Sequence, residues 1–211
     1  MIQKIIPKIK DKKIILFGEL HGTKEIPWIL SKFLKDLAKN EDFNLCLELP
    51  EEFQNTKLDE LLILAKKEDT SGLISEEYID LIKELPKNVK LFFIVPNLIK
   101  NQEEMEIGIA DNILKLTNGK RTFAILGSIH ASKSKIIMGK ITISPAGFLI
   151  HQKLKDKMYS ILLKGRRGEF YNQGLKQVKY HKYDSFDKNF DYVYNVGDIS
   201  SCSFSKTRTS D

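Results

Sequence analysis

An acidic residue and a histidine near the start of the chain are the first feature that could do chemistry. Glu19 and His21 are separated by one residue and stand between Gly18 and Gly22. In an extended segment, residues two apart lie on the same side, so the carboxylate can orient the imidazole. The flanking glycines allow a sharp exit from a strand and a close approach of a ligand to the backbone. The pair is therefore a candidate catalytic site.

Glu48 and His130 are two more residues of the same chemical types. Glu48 directly follows apolar residues, where an unpaired carboxylate is costly unless it meets a cation, a metal or a hydrogen-bond donor. His130 ends the run Gly127-Ser128-Ile129-His130, which also follows apolar residues. A histidine can act as a general base on water, and neighbouring carboxylates can fix its tautomer and stabilise the imidazolium that forms.

Two further carboxylates are secondary candidates. Glu106 shares a predicted helical face with Ile109, Ala110 and Ile113, so its carboxylate lies on an otherwise apolar stripe and can point into a crevice. Glu25 stands at the start of another predicted helix. It either joins the same site or only favours the positive end of that helix.

These residues need elements that bring them together, and the apolar pattern predicts such elements. Short runs rich in Ile, Val, Leu and Phe are typical of strands buried on both faces, and they alternate with segments of helical periodicity. This order predicts βαβ crossovers. The predicted strands are residues 14–17, 44–49, 89–95 and 122–126, and the predicted helices are residues 27–39, 58–67, 76–85 and 103–116.

After His130 the pattern changes to one helix and short strands, with the pair Arg166-Arg167 as a predicted hairpin tip between two glycines. We predict an α/β fold with a central, mainly parallel sheet flanked by helices and extended by these strands. Residues 1–211 are predicted to form one domain, with residues 200–211 as a frayed tail. The helix is predicted at 144–155 and the strands at 158–163, 168–171, 176–180 and 191–196.

The predicted fold explains why the candidate residues belong together. In an open parallel sheet, ligands bind in the crevice beyond the carboxyl ends of the strands. Glu19 with His21, Glu48, and His130 each follow a different predicted strand, so we expect one shared site. The familiar signatures H-E-x-x-H, the Walker P-loop and G-x-G-x-x-G are absent from the sequence.

Composition restricts the partners and the compartment. The formal charge of +6 comes from lysines spread along the sequence, and no nucleic-acid-binding motif is present, so we expect no nucleic acid partner. No apolar stretch suits a signal peptide or a membrane span, and two cysteines cannot make a disulfide framework. We expect a cytoplasmic protein without a membrane partner, acting on a small-molecule or peptide substrate. The sequence does not indicate the oligomeric state.

The candidate residues resemble a known superfamily. The run from Gly18 to Glu25, then Glu48, and the run from Gly127 to His130 are similar in order and spacing to the superfamily of erythromycin esterases, ChaN haem-binding proteins and TIKI proteases. The likeness covers about the first 150 residues. The run from Met105 to Ala110 resembles a degenerate form of that group's Arg-Asp/Glu-x-x-Met-Ala helix, with Met105 where the family has arginine. The spacing of Glu19 and His21 looks like ChaN, whereas the run from His21 to Glu25 looks esterase-like.

The resemblance implies three possible functions. The esterases imply a hydrolase of ester or amide bonds with His21 as general base, Glu19 orienting it, and Glu48 or His130 placing the water or stabilising the oxyanion. The TIKI likeness implies a metal-dependent variant, with Zn²⁺, Mn²⁺ or Fe²⁺ held by Glu19, His21, Glu48 and His130. The ChaN likeness implies a haem- or iron-binding protein without catalytic activity. A basic nucleic-acid binder, which predicts strongly salt-dependent binding, is the remaining alternative class.

Overall fold

A computed structural model describes residues 2–68, 72–117, 119–172, 175–179 and 185–203 of the chain. Its helices are α1 (Ile2–Ile9), α2 (Glu25–Ala38), α3 (Leu58–Glu68), α4 (Glu76–Lys83), α5 (Gln102–Leu116) and α6 (Ala146–Leu154). Its strands are β1 (Ile14–Glu19), β2 (Phe43–Pro50), β3 (Val89–Val95), β4 (Arg121–Gly127), β5 (Ile136–Met138), β6 (Ile141–Ile143), β7 (Met158–Tyr171), β8 (Leu175–Lys179) and β9 (Tyr192–Ile199).

The main sheet has the order β3-β2-β4-β1-β7-β8, and β9 pairs with β7 as well. The pairs β2–β3, β2–β4, β1–β4, β1–β7 and β7–β9 are parallel, and β7–β8 is antiparallel. The predicted α/β fold with a mainly parallel sheet and additional C-terminal strands is therefore confirmed.

Two apolar layers cover the two faces of this sheet. In β1, Ile15 and Phe17 pack in the layer that also holds residues of α1, α2, α3 and α4. The alternate residues Ile14 and Leu16 pack in the layer that holds residues of α5 and α6. Because both faces of a central parallel strand are buried, its sequence is continuously apolar instead of alternating.

Helix α1 and the strands β5 and β6 were not predicted from the sequence. The lysine-rich N-terminus forms α1, whose Ile5 and Ile9 are fully buried in the first layer. The isoleucines are four residues apart and so share one helical face. A separate antiparallel hairpin, β5 with β6, lies between β4 and α6.

The predicted hairpin tip at Arg166-Arg167 is wrong. Both arginines lie inside β7, which runs without interruption from Met158 to Tyr171. The pairing of β7 with β9 shifts register at Gly165 and Arg167, and Gly168 has a φ of 124°. Glycines at a β-bulge give the same sequence pattern as glycines at a turn, because both need unusual backbone angles.

Residues 200–203, which were predicted to be part of a frayed tail, are held in place by contacts with the rest of the protein. The Ser200 backbone N–H and hydroxyl donate to the Glu25 carboxylate at 2.8 and 2.5 Å. Ser201 forms a β-bridge with Thr23, and Cys202 is buried. Residues 204–211 lie outside the described part of the chain. Among the described residues, no helix combines the length and apolarity that a membrane crossing requires.

Candidate active site

Three neighbouring strands bring the candidate residues to one edge of the sheet. Strand β4 lies between β1 and β2, and all three are mutually parallel, so their carboxyl ends are side by side. Glu19 ends β1 and pairs in register with Gly127, which ends β4. His21 and His130 follow these strand ends within three residues. This is the edge at which ligands bind in open α/β sheets.

Glu48 reaches the same point from β2. The pairing of β2 with β3 becomes irregular between Leu47 and Pro50. An irregularity of this kind re-aims side chains near the end of a strand. Glu48 Oε2 accepts a hydrogen bond of 2.6 Å from the Gly127 backbone N–H, which fixes the carboxylate against the end of β4.

His21 is held by Glu19. Its Nδ1–H donates to Glu19 Oε1 at 2.8 Å. The Glu19 side chain is fully buried, whereas 15% of the His21 side chain is exposed. The buried carboxylate therefore fixes the orientation of a ring that can still be reached from solvent.

His130 is held in the same way by Glu106. Its Nδ1–H donates to Glu106 Oε1 at 2.8 Å. Glu106 is fully buried and also accepts hydrogen bonds from Gln102 Nε2 at 2.6 Å and from the Ala146 backbone N–H at 2.8 Å. Glu106 therefore points towards the carboxyl edge of the sheet, as predicted, and its histidine partner there is His130.

Both imidazoles direct Nε2 towards Glu48. The distance from His130 Nε2 to Glu48 Oε1 is 3.3 Å, and that from His21 Nε2 to the same oxygen is 3.9 Å. The structure thus brings together all four residues singled out in the sequence, with Glu106 as the fifth. We call these five residues, Glu19, His21, Glu48, Glu106 and His130, the Glu/His cluster.

The charges in the Glu/His cluster perturb one another. Burial disfavours the charged form of His21, but its hydrogen bond to Glu19 and the nearby Glu48 carboxylate outweigh this and raise the pKa of His21 to about 10. His130 has a raised pKa as well, because Glu48 and Glu106 overcome the effect of burial. For Glu48, the effect of burial is overcome by the charges of His130 and His21, which lower its pKa to about 2. At neutral pH the cluster therefore holds an ionised Glu48 beside a protonated His21, and the same charges favour the protonated form of His130.

Gly127 leaves the space that His21 occupies. A Cβ at position 127 would lie 2.8 Å from His21 Nε2 and 3.6 Å from Glu48 Oε2. The first distance is well inside van der Waals contact, so a side chain here would push the imidazole away from its observed position. The glycine at the end of β4 is therefore part of the site geometry.

Glu25, the other secondary candidate, does not join the Glu/His cluster. It is the first residue of α2, and its carboxylate accepts both hydrogen bonds from Ser200. Its observed contacts tie the chain after β9 to the start of α2.

Two residues near the cluster were missed in the sequence. Gln102 lies four residues before Glu106, a helical spacing that could have identified it. Tyr78, on α4, is buried, and the nearby carboxylates of Glu19 and Glu48 contribute to a raised pKa of its hydroxyl. Nothing in the local sequence of α4 indicates that Tyr78 is near the cluster.

The metal and haem alternatives depend on the Nε2 atoms of His21 and His130. Within the described ranges, no group of three or more His, Cys, Asp or Glu side chains could hold a metal ion. Both Nδ1 atoms are engaged by carboxylates, and the two Nε2 atoms face a single Glu48 oxygen. The Nε2 atoms that would bind a metal or a haem iron are therefore both directed at the Glu48 carboxylate in this structure.

Comparison with known proteins adds information about the fold. No family model matches this sequence, and no curated protein is significantly similar to it. A crystal structure of a Bacillus cereus protein is similar with a TM-score of 0.69 and 12% identity, over 97% of this chain and 93% of that one. A succinoglycan biosynthesis protein is similar with a TM-score of 0.64 and 13% identity, over 86% of this chain and 74% of the other.

A third similar structure is that of the erythromycin esterase EreC in its open conformation. Its TM-score is 0.58 at 10% identity, and the match covers 88% of this chain and 81% of the esterase. At identities this low, the likeness establishes a shared fold and nothing finer. The resemblance seen in the sequence is thus supported at the level of the fold, which this chain shares with an esterase.

Proposed function

We propose that this protein hydrolyses ester or amide bonds, with His21 as the general base. The observation that carries the proposal is the Glu19–His21 pair. A fully buried carboxylate holds Nδ1 at 2.8 Å, while Nε2 faces the Glu48 carboxylate at 3.9 Å and 15% of the His21 side chain is exposed to solvent. A base oriented by a third group is the arrangement expected of catalytic acid–base machinery. The fold shared with an erythromycin esterase is compatible with this chemistry.

Each proton in the proposed reaction has a place. Neutral His21 takes a proton at Nε2 from a water molecule while the water oxygen attacks the carbonyl carbon. The tetrahedral intermediate then collapses, the bond to the leaving alcohol or amine breaks, and the leaving group takes the proton back from His21 Nε2. Glu19 stabilises the imidazolium between the two steps.

His130 and Glu48 have supporting roles in this proposal. His130, whose protonated form is favoured by Glu48 and Glu106, can donate from Nε2 to the oxyanion that develops on the carbonyl oxygen. Glu48 contacts both Nε2 atoms in the observed state. It must therefore turn towards substrate or water before His21 can act. Because the Glu48 carboxylate helps to raise the pKa of His21, this movement also favours release of the proton from the ring.

The proposal is tested with p-nitrophenyl acetate, p-nitrophenyl butyrate and the matching p-nitroanilides. We expect His21→Ala to lower kcat/KM about 10²- to 10⁴-fold, the usual contribution of a general base. His151→Ala, which removes a histidine on α6 outside the cluster, is the matched control and is expected to retain activity. Turnover that is equal in wild type and His21→Ala, or that is absent with every ester and anilide, would contradict the proposal.

A further inference from the structure

The two carboxylates that orient the histidines differ in their own hydrogen bonds. Both oxygens of Glu106 accept hydrogen bonds, from His130, Gln102 and Ala146. In Glu19, Oε1 accepts from His21, but Oε2 is buried without a hydrogen-bond partner among the described residues. Leaving a buried carboxylate oxygen unpaired is costly, because it has lost water and gained nothing in return. Glu19 therefore requires a second donor.

The Tyr78 hydroxyl is a donor in the complementary situation. It is also buried, and among the described residues no contact of this hydroxyl has the distance and angles of a formed hydrogen bond. Burial, then the charge of Glu19 and a hydrogen-bonding interaction with its carboxylate, and last the charge of Glu48, raise the pKa of Tyr78 well above its usual range. The hydroxyl thus stays protonated and interacts with both carboxylates. Because a carboxylate only accepts hydrogen bonds, the hydroxyl must act as the donor. One unpaired donor and one unpaired acceptor occur in the same buried place.

The surrounding structure allows these two groups to meet. Tyr78 lines a cavity together with Glu48 and aliphatic side chains that include Leu49 and Ile82, so its ring has room for a small movement. Helix α4 and the loop that follows β1 and carries His21 are both hydrogen-bonded to the segment after β9, at two consecutive residues. The Ser203 backbone N–H donates to the Glu77 carboxylate, and the Cys202 backbone N–H donates to the Gly22 carbonyl at 2.8 Å.

We propose that Tyr78 is a positioning residue of this site, whose hydroxyl donates to Glu19 Oε2 and fixes the carboxylate that orients His21. The two histidines then have similar support, because Tyr78 donates to Glu19 Oε2 as the Ala146 backbone N–H donates to Glu106 Oε2. The effect on catalysis rests on the proposed function, whereas the hydrogen bond itself does not. A donor on Oε2 draws negative charge away from Oε1, so it weakens the bond from His21 Nδ1–H while it holds the carboxylate in place.

Proton NMR of the full chain, labelled with ¹³C in the tyrosine rings, tests the hydrogen bond directly. In the wild type we expect a slowly exchanging hydroxyl proton on one tyrosine ring and a downfield His21 Nδ1–H proton. Tyr78→Phe should remove the hydroxyl signal and shift the Nδ1–H signal further downfield. Tyr159→Phe is the matched control. Tyr159 lies near the start of β7, at the amino ends of the parallel strands and away from the cluster, so its substitution should change neither signal.

Kinetics supply a second readout. If Tyr78 orients His21 without touching substrate, Tyr78→Phe should lower kcat roughly tenfold or more, with KM unchanged. The absence of a protected tyrosine hydroxyl in the wild type, or a His21 Nδ1–H signal that Tyr78→Phe leaves in place, would overturn the inference. Both signals are read in folded protein without any substrate. If they behave as expected while no His21-dependent hydrolysis is found, the proposed function fails and the hydrogen bond stands.

Discussion

Two imidazoles of similar geometry can have different tasks because of their neighbours. His21 and His130 are each held at Nδ1 by a buried carboxylate, and both face Glu48. His130 lies closer to Glu48, and both oxygens of its partner Glu106 accept hydrogen bonds. His21 lies farther from Glu48, at 3.9 Å against 3.3 Å for His130. Because its contact with Glu48 is looser, His21 is the better candidate for the group that accepts and releases a proton during turnover.

The raised pKa of His21 predicts the pH dependence of hydrolysis. Only the neutral ring can accept a proton, and burial opposed by Glu19 and Glu48 brings the pKa to about 10. We therefore expect kcat/KM for p-nitrophenyl acetate, corrected for alkaline background hydrolysis, to rise with pH with unit slope and to level off near pH 10. Glu48→Gln removes one of the two carboxylate charges that raise the pKa of His21. It should therefore shift the rising part of the pH profile to lower pH. A profile that falls with increasing pH would identify His21 as an acid instead.

The same titration has the opposite effect on stability. The pKa of His21 is raised above its usual value of 6.5, so the charged ring stabilises the folded state fully below about pH 6.5. This contribution is lost as the pH rises through the folded-state value of about 10. Alkaline pH should therefore raise activity while it lowers the melting temperature.

At the scale of the elements, the loop after β1 is fixed by strands and segments distant in sequence. The Gly22 carbonyl accepts hydrogen bonds from the backbone N–H groups of Tyr171, at the end of β7, and Cys202. The Lys24 backbone N–H donates to the Ser200 carbonyl. His21 stands immediately before this fixed point, so its backbone position depends on how β7 and the C-terminal segment pack.

Gly22→Ala tests this packing. Gly22 has a φ of 75°, and a Cβ there would lie 1.9 Å from the Tyr171 carbonyl oxygen, which cannot move without β7. Gly139→Ala is the matched control, since Gly139 has a φ of 63° but nothing within 4 Å of its Cβ position. Gly139→Ala should cost about 1–2 kcal/mol in free energy of unfolding, the usual penalty of a left-handed residue, and Gly22→Ala clearly more.

Urea denaturation measures the difference between the two variants. Because both carry the same backbone strain, any excess for Gly22→Ala reports the contact with β7 and not the glycine itself. Equal losses of stability would mean that the loop moves aside at little cost, and the tight placement of His21 would then be wrong.

At the scale of the whole molecule, the fold is shared with proteins as different as a succinoglycan biosynthesis protein and an erythromycin esterase. A common sheet with a crevice at its carboxyl edge can host several chemistries, and the residues at that edge decide among them. Here that edge holds carboxylates and imidazoles. The main competing chemistries for such a set are a metal-free base and a bound metal.

Metal content of the whole protein separates these chemistries. We expect purified wild type, His21→Ala and His130→Ala to bind less than stoichiometric Zn²⁺, Mn²⁺ or Fe²⁺ after incubation and desalting, because a metal-binding imidazole must be deprotonated whereas the pKa of His21 is raised to about 10. Elemental analysis measures the bound metal. One metal ion per wild-type chain, lost in both variants, would contradict the metal-free mechanism.

Several features of the molecule were determined by the sequence alone. Continuous apolar runs predicted the buried parallel strands, because a strand covered on both faces has no polar side. Helical periodicity predicted α2, α3, α4, α5 and α6 with small differences at their ends. The position of Glu19, His21, Glu48 and His130 after strands was enough to predict their convergence, since parallel strand ends meet at one edge.

Other features were decided by the tertiary structure. Whether Gly165 and Gly168 flank a turn or a bulge depended on β9, which pairs along β7 and keeps the strand continuous. The order of β4 between β1 and β2 determined that Glu48 contacts both histidines. Tyr78 came to the site through the packing of α4, which leaves no local pattern. Local sequence carries the propensities and the periodicities, whereas contacts between residues far apart in the chain depend on which elements become neighbours, and only the assembled sheet and its helices determine that.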